Sequence, residues 1–387
     1  MHHSATQVIF FFLQAFRLTG GIEKVNRVLL LALYELEQAG RLRIKALSPY
    51  SIGTDPRYFP NEQLTGYRGQ RWRLMLDLLW RPFRTDILLV GHVNLAPAVW
   101  ILRLRYPNMK IVLMAHGIEV WPPLRGLKRW LVNRADQVLA VSQYTRQRLI
   151  DNGLPPERIQ VLPNCLDPFY QPPTTLEKPA YLLDRYGLQP GRKVLLTIAR
   201  LSAHEGYKGY DRVLESLPGL LPGFPDLYYI LAGKYDPVEK ARLDVIIEQL
   251  QLRDHVLFTG FLPDAEVMDH YRLADVFIMP SKQEGFGLVF IEAMACGTPA
   301  IGGDQDGSPE ALCPGELGYT THPDDPASIV ETITQVLRNP PDARELQRKT
   351  LAKFSYTHYR EKLAAALQLP AGNQSNPAVQ NQLEYCA

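Results

Sequence analysis

Short apolar runs alternate along this chain with segments whose apolar positions recur every three or four residues. In the first half, Val8–Ala15, Ile44–Ser48, Ile87–Gly91, Lys110–Ala115, Val138–Val141 and Ile159–Leu162 read as strands. Runs this short and this uniformly apolar suit strands buried on both faces of a parallel sheet. Between them, Ile22–Ala39, Leu95–Arg105 and Leu124–Ala135 have the period of amphipathic helices. The second half repeats the alternation. Strands are expected at Val194–Ala199, Leu227–Ala232, Val256–Thr259, Val276–Pro280 and Pro299–Gly302, and helices at Tyr210–Leu217, Val238–Leu250 and Ala265–Leu273. Strand and helix alternating through both halves predict parallel sheets covered by helices, with one doubly wound α/β domain in each half.

A chain of 387 residues exceeds the size at which a single core keeps growing. The join is legible as linker composition. Pro163, Pro168, Pro172, Pro173, Pro179 and Pro190 fall between the last strand of the first half and Gly191-Arg192-Lys193, although Tyr181–Tyr186 can add a short helix. The expected domains are therefore 1–168 and 169–354. Residues 371–387 are polar, with Gly, Asn, Gln and Pro, and are expected to be a disordered tail. The apolar run at Val8–Phe16 is short and preceded by histidines rather than Lys or Arg, which favours a buried strand over a signal peptide. No other run reaches the ~20 apolar residues of a membrane span.

Charge alters this picture in one respect. The formal net charge is +2, but residues 1–170 carry 22 Lys and Arg against 12 Asp and Glu, and the remainder 20 against 28. A basic first half suits an anionic surface or acceptor, membrane headgroups among them, and suits a solvated positive face equally. Arg68, Arg71, Trp72, Arg73, Trp80, Arg81, Phe83 and Arg84 concentrate cations and aromatics in one amphipathic stretch. That stretch reads either as a peripheral contact with anionic lipid or as a packed helix with its arginines in solvent. Cys165, Cys296, Cys313 and Cys386 lack paired or metal-site spacing and read as reduced thiols of a cytoplasmic protein.

Candidate chemistry gathers where strands end. After the expected strand Val276–Pro280 comes Ser281-Lys282-Gln283-Glu284-Gly285-Phe286-Gly287, then a helix over Leu288–Ala295. Gly285 and Gly287 remove side chains where backbone N–H groups would approach an anion, and the helix N-terminus adds partial positive charge. Glu284 and Glu292, before and inside that helix, suit sugar and ribose hydroxyls as acceptors better than they suit phosphate. A plain strand–loop–helix joint with surface glutamates is the alternative. Arg200, at a strand end, and Lys208, before the next helix, suit the diphosphate of a leaving nucleotide. Thr19-Gly20-Gly21-Ile22-Glu23 can form a turn that approaches phosphate or sugar, but it is not the Gly-x-Gly-x-x-Gly dinucleotide pattern. His116 ends the strand Lys110–Ala115, where a substrate hydrogen bond is possible and a structural role is the commoner fate. Asp304-Gln305-Asp306 matches a short metal motif, a frequent coincidence, and the expectation is metal-independent chemistry with no cofactor.

These pieces, in this order, resemble the family-4 type of retaining GT-B glycosyltransferases. The resemblance runs from about Val8 to Leu367 and includes Val161-Leu162-Pro163-Asn164 and Glu292-Ala293-Met294-Ala295-Cys296-Gly297-Thr298-Pro299-Ala300-Ile301. It implies a GT-B fold, two Rossmann-like domains facing each other across a cleft, with the acceptor side in the first, the donor side in the second and a helix in 355–370 crossing back. It implies a nucleotide-sugar co-substrate, a UDP- or GDP-sugar, and a glycan or lipid-linked acceptor. Arg200 and Lys208 would hold the diphosphate, and Glu292 the ribose hydroxyls. Glu284 and the amides of Phe286, Gly287, Leu288 and Val289 would hold the sugar and phosphate. His116 would contact the sugar near the reacting carbon, with Gly20 and Gly21 shaping the acceptor side. One departure stands out: Gly233-Lys234-Tyr235 replaces the usual Gly-x-Gly near the nucleotide. The rivals are a glycoside hydrolase using Glu284 and Glu292, a nucleotide-sugar epimerase of the same architecture, and a non-catalytic nucleotide-sugar-binding subunit.

Overall fold

The computed structural model describes residues 5–17, 20–83 and 85–370. Thr19, Arg84 and the tail 371–387, where disorder was expected, lie outside the described residues. The chain divides into two compact units: Met1–Val141, Thr145–Leu162 and Tyr356–Ala387 form one, Ser142–Tyr144 and Pro163–Ser355 the other.

The first half runs β1 (Thr6–Phe11), α1 (Gly21–Gln38), β2 (Leu42–Ser48), β3 (Leu64–Gly66), α2 (Arg71–Trp80), β4 (Ile87–Val90), α3 (Ala96–Arg105), β5 (Lys110–Ala115), α4 (Gly126–Arg134), β6 (Gln137–Ala140), α5 (Gln143–Asp151) and β7 (Ile159–Val161). Among the described residues the seven strands form one parallel sheet in the order β3-β2-β1-β4-β5-β6-β7. Strand β4 is buried along its length and β5 at every position after Lys110, as the apolar runs require. Helix α1 lays Leu29, Leu30, Leu33 and Leu36 into the core, each such burial contributing about 1.5–3 kcal/mol.

The second half contains α6 (Ala180–Arg185), β8 (Val194–Ile198), α7 (Tyr210–Leu220), β9 (Tyr228–Ala232), α8 (Pro237–Gln249), β10 (Val256–Gly260), α9 (Asp264–Leu273), β11 (Val276–Met279), α10 (Leu288–Ala295), β12 (Ala300–Gly303), α11 (Ser308–Leu312), β13 (Tyr319–Thr321), α12 (Pro326–Arg338) and α13 (Ala343–Lys353). Its six strands are again all parallel, in the order β10-β9-β8-β11-β12-β13. Asp236, Asp325 and Asp342 cap α8, α12 and α13 by accepting first-turn amides. The last helix, α14 (Tyr356–Ala366), belongs to the first unit. Arg360 pairs with Glu35 of α1 at 2.6 Å, and Arg41 with Glu361 at 2.9 Å.

In each sheet the order reverses once, between β1 and β4 and between β8 and β11. Crevices for ligands open at such switch points, outside the carboxyl ends of the strands.

Several boundaries differ from the sequence expectation. The run read as a strand to Ala15 leaves the sheet after Phe11. The last ladder bond is Phe12 N–H to Leu47 O, and beyond it side chains take over: Ser48 Oγ donates to Leu13 O and Asn26 Nδ2 to Gln14 O. Apolar residues thus continue past the point where a partner strand exists. Strands β3 and β13, three residues each, were not foreseen, nor were α5, α12 and α13. A three-residue strand has no period to read, and it forms because a neighbouring edge supplies its hydrogen bonds. Helix α7 runs three residues past Leu217 through Pro218. A proline one turn from a helix end sacrifices one bond only, and Leu221 N–H still reaches Leu217 O at 3.1 Å.

Candidate functional site

In the second unit the carboxyl ends of β8 and β11 bring two loops together. One carries Arg200 and ends in the turn Gly206–Lys208; the other carries Glu284 to Gly287 ahead of α10. Gly209 makes their approach possible. Its φ is +75°, and a Cβ there would lie 2.3 Å from Pro280 O. Lys282 N–H then donates to Tyr207 O at 3.0 Å, and Lys208 Nζ reaches Glu284 Oε2 at 2.8 Å. Burial alone would pull the Lys208 ammonium below its usual value; the Glu284 carboxylate, by charge and hydrogen bond, outweighs this and leaves it raised. Lys208 therefore stays cationic throughout the physiological range.

Arg200 is exposed and pairs with Glu205. Each of the two cations read as diphosphate ligands thus has an internal carboxylate partner, and Glu205 is one that sequence pattern did not single out. An anion entering here exchanges these contacts rather than meeting bare charge.

The loop after β11 is locked by its neighbour. Asp306, buried, accepts Glu284 N–H at 2.6 Å and Ser308 N–H at 2.9 Å, while Gly307 N–H donates to Glu284 O at 2.8 Å. A Cβ on Gly307 would sit 2.1 Å from Gly285 O. Gly287 precedes α10 with φ +93°, and a Cβ there would strike Phe290 at 2.3 Å. Gly285, Phe286 and Gly287 are buried, Leu288 and Val289 half-buried. Phe286 packs edge-on against Phe354 at 5.9 Å. The first-turn amides of α10, at Leu288 and Val289, have no intrahelical acceptor by the geometry of a helix start, so this is a ready anion-binding end.

Asp306 is the buried carboxylate of Asp304-Gln305-Asp306, and both its oxygens are committed to backbone amides. Among the described residues no group of three or more His, Cys, Asp and Glu is placed to hold a metal. Burial pushes the Asp306 carboxyl up to about 6. A carboxyl whose folded value exceeds its unfolded value of 3.8 favours the fold below that lower value, and the benefit disappears as pH rises through about 6. Asp306 should therefore contribute up to about 3 kcal/mol more at pH 4 than at pH 7. Thermal unfolding from pH 7 to pH 4 tests this: Asp306→Asn should lose the acid-side gain, and an unchanged profile would disprove the assignment.

Glu292 is buried on α10, one Oε2 accepting from Tyr271 OH at 3.3 Å, with Tyr170 OH donating to its backbone carbonyl at 2.7 Å. Burial first, and then the Glu292 charge, hold the Tyr271 hydroxyl well above its ordinary value, so it remains a donor. Neither tyrosine was foreseen: both are far from Glu292 in sequence. At Gly233-Lys234-Tyr235, Gly233 has φ +134° and a Cβ would lie 1.9 Å from Ala199 O. Leu201 N–H donates to Lys234 O, and Asp236 N–H to Leu201 O, both at 3.0 Å. This bridge extends the β8–β9 pairing, and Tyr235, in the second glycine's place, sets its ring edge-on to Phe258 at 6.3 Å.

In the first unit the residues flanking the β1–β4 switch are Gly20, Gly21, Gly91 and His116. A carbonyl only accepts, so His116 Nε2 carries a proton and donates it to Gly91 O at 2.8 Å. His116 N–H donates to Glu119 Oε1 at 2.6 Å. Gly91 is itself hemmed in, a Cβ there meeting Phe12 Cβ at 2.9 Å. Neighbouring His92 is buried and its imidazole pushed down to about 4; its Nδ1 accepts Asn94 N–H at 3.0 Å. Gly20 caps α1, and its Cβ would first meet the flexible Glu23 carboxylate, while a Cβ on Gly21 would meet nothing within 4 Å. Nothing inside the described protein demands glycine at Gly21.

A GDP-mannose-dependent alpha-(1-6)-phosphatidylinositol monomannoside mannosyltransferase of Mycolicibacterium smegmatis is 33% identical over 242 residues, 60% of this chain and 62% of that protein. An N-acetyl-alpha-D-glucosaminyl L-malate synthase of Bacillus anthracis is 28% identical over 240 residues, 60% of this chain and 59% of that protein. The match spans about three fifths of the length of these curated relatives. Among solved structures, Anabaena HepE in complex with UDP matches with a TM-score of 0.73 at 20% identity, covering 93% of this chain and 99% of that one. That likeness establishes the architecture as GT-B. The Glycosyltransferase Family 4 model matches residues 32–168 and the Glycosyl transferases group 1 model residues 183–353. With both models in tandem on two Rossmann-like units, the chain belongs to the family-4 type of GT-B glycosyltransferases.

Proposed function

We propose that this glycosyltransferase is a retaining enzyme that moves a hexosyl group from a UDP- or GDP-sugar to a glycan or lipid-linked acceptor, in the synthesis of cell-surface polysaccharide or glycoconjugate. The observation that carries this reading is the Lys208–Glu284 pair beside the start of α10. It sets a cation for phosphate and a carboxylate for hydroxyls side by side, which is the polarity of a sugar nucleotide. Names of relatives agree: one uses GDP-mannose, and the HepE neighbour was solved with UDP.

In this reading the bond between the anomeric carbon and the phosphate oxygen loosens first. Arg200, Lys208 and the α10 amides take up the charge growing on the diphosphate. The acceptor hydroxyl forms the new glycosidic bond on the same face and passes its proton to the departing phosphate oxygen. Configuration is retained without a carboxylate nucleophile, metal or other cofactor. Glu292 takes the ribose hydroxyls, Glu284 the sugar, and His116 a sugar hydroxyl from Nδ1, the nitrogen not committed to Gly91. Gly21 supports an acceptor-side role because its open surroundings leave room for a ligand. The enzyme would work in the cytoplasm, its basic domain in peripheral contact with the inner face of the membrane.

A panel of UDP-, GDP- and ADP-sugars tests the donor. A bound donor at 100 times its Kd raises stability by about 2.7 kcal/mol, so one nucleotide class should raise Tm by several degrees. No shift with any of them would refute the reading. Product appearing without an acceptor would favour an epimerase instead.

A further inference from the structure

Two helices of the first unit carry large apolar side chains into solvent. On α2, Trp72 is 64% exposed, Leu76 47%, Leu79 50% and Trp80 77%. Positions 72, 76 and 79 stand on one helical stripe, while Leu74 and Leu78 fill the opposite, buried side. A surface helix ordinarily gives its outer face to polar residues; α2 is apolar on both. Helix α3 packs beside it and adds Trp100 and Leu104, 41% and 67% exposed. Single exposed hydrophobics are ordinary, but four on one ten-residue helix, with two more on the helix packed beside it, are not.

The carbonyl end of α2 is tied to α3 by hydrogen bonds. Arg105 of α3 donates from Nη1 to Leu78 O at 3.2 Å and to Arg81 O at 2.9 Å, and from Nη2 to Trp80 O at 3.2 Å. These bonds close the carbonyl end of α2. Phe83 N–H donates to Tyr106 OH at 2.9 Å just beyond it.

Charge on and beside α2 is predominantly positive. Arg68, Arg71, Arg73 and Arg81 are exposed on and beside α2. The one acidic residue of α2, Asp77, is half-buried, accepts Tyr67 OH at 3.0 Å and pairs loosely with Arg81 at 3.7 Å, an exposed contact that a headgroup phosphate can replace. Tryptophans and leucines flanked by arginines on an exposed helical face suit the boundary between acyl chains and anionic headgroups.

We propose that the α2–α3 face docks this protein on an anionic lipid bilayer. Trp72, Leu76, Leu79 and Trp80 enter the headgroup boundary, and Arg71, Arg73 and Arg81 meet headgroup phosphates. The proposal rests on reading the basic domain as membrane-facing and is independent of the donor chemistry.

Co-sedimentation of the full chain with phosphatidylcholine vesicles, with and without phosphatidylglycerol, tests it. The chain should bind the anionic vesicles, release them as salt rises and ignore pure phosphatidylcholine. Arg73→Gln with Arg81→Gln should weaken binding roughly fivefold per arginine, and Trp72→Ser with Trp80→Ser about tenfold or more. Donor-induced thermal shifts in both variants should match the unaltered chain, which shows that they fold. If the variants misfold, the salt and lipid dependence of the unaltered chain still decides. No binding to anionic vesicles at low salt, equal binding to both vesicle types, or binding untouched in folded variants would each overturn the proposal. So would a change of oligomeric state in the variants without lipid binding, which would mark a surface for a second copy. Vesicle binding without any donor shift would sink the proposed function alone; a donor shift without vesicle binding would sink only this docking.

Discussion

Lys208→Ala should lower kcat for sugar transfer about 10²–10³-fold, the usual cost of removing one donor aimed at a developing anion. Two physical changes add up in this variant. The diphosphate loses a cation, and Glu284 loses the ammonium 2.8 Å from its carboxylate. The second change can be separated from the first. In Lys208→Ala with Glu284→Gln no unpaired carboxylate remains, so whatever activity returns measures the repulsion, and the residual deficit measures the lost stabilisation. Arg200→Ala should act in the same direction. Its side chain is 71% exposed, so water screens it more and the loss should lie at the lower end. Single-turnover transfer with the donor identified by thermal shift is the measurement. Near-full activity in both Lys208→Ala and Arg200→Ala would defeat this account of the leaving group.

Gly209→Ala should be among the most damaging single-methyl changes in the second unit. The position combines φ +75° with a Cβ contact of 2.3 Å to the backbone oxygen of Pro280, which cannot swing aside as a side chain would. Strain and overpacking together should cost about 3 kcal/mol or more, a Tm drop of roughly 6–12 °C for a domain of this size. The relief available to the chain is to move the 206–208 turn off the end of β11. That would break the Lys282–Tyr207 backbone bond and draw Lys208 away from Glu284, so donor affinity should fall with stability. Gly206→Ala is the matching control. A Cβ at Gly206 has nothing within 4 Å and no positive φ opposes it, so its Tm should stay within about 2 °C. Equal behaviour of the two variants would show that the Gly209–Pro280 approach does not position the site.

Much of the architecture was readable from local pattern. The runs at Ile87–Gly91, Lys110–Ala115, Val194–Ala199 and Val276–Pro280 became the central strands because a strand covered on both faces is apolar along nearly all its length, Lys110 and Thr197 being the exceptions. The candidate residues were found by the same route, since a polar residue directly after such a run leaves the sheet at its carboxyl end. Arg200, His116 and Glu284 all stand at or just beyond those ends. The short strands β3 and β13, and the exit of β1 after Phe11, were out of reach because a neighbouring edge, not the segment itself, determines them.

The glycines show the same division. Gly20, Gly21, Gly285 and Gly287 were all picked out from their place before a helix, yet their circumstances differ. Gly287 is required by its backbone angle and by Phe290; Gly21 meets nothing inside the described protein. Only coordinates separate a glycine needed by the fold from one that leaves room for something else.

Two sheets, their strand-and-helix alternation and the residue types at their ends follow from the order of amino acids, because periodicity and turn chemistry act over a few residues. The partnerships that give those residues their chemical state do not. Lys208 meets Glu284 across 76 positions, Asp306 holds the Glu284 amide across 22, and Tyr170 reaches the Glu292 carbonyl across 122. Each depends on loops brought together by sheet closure, and each sets a charge, a proton or a donor that short-range pattern leaves open.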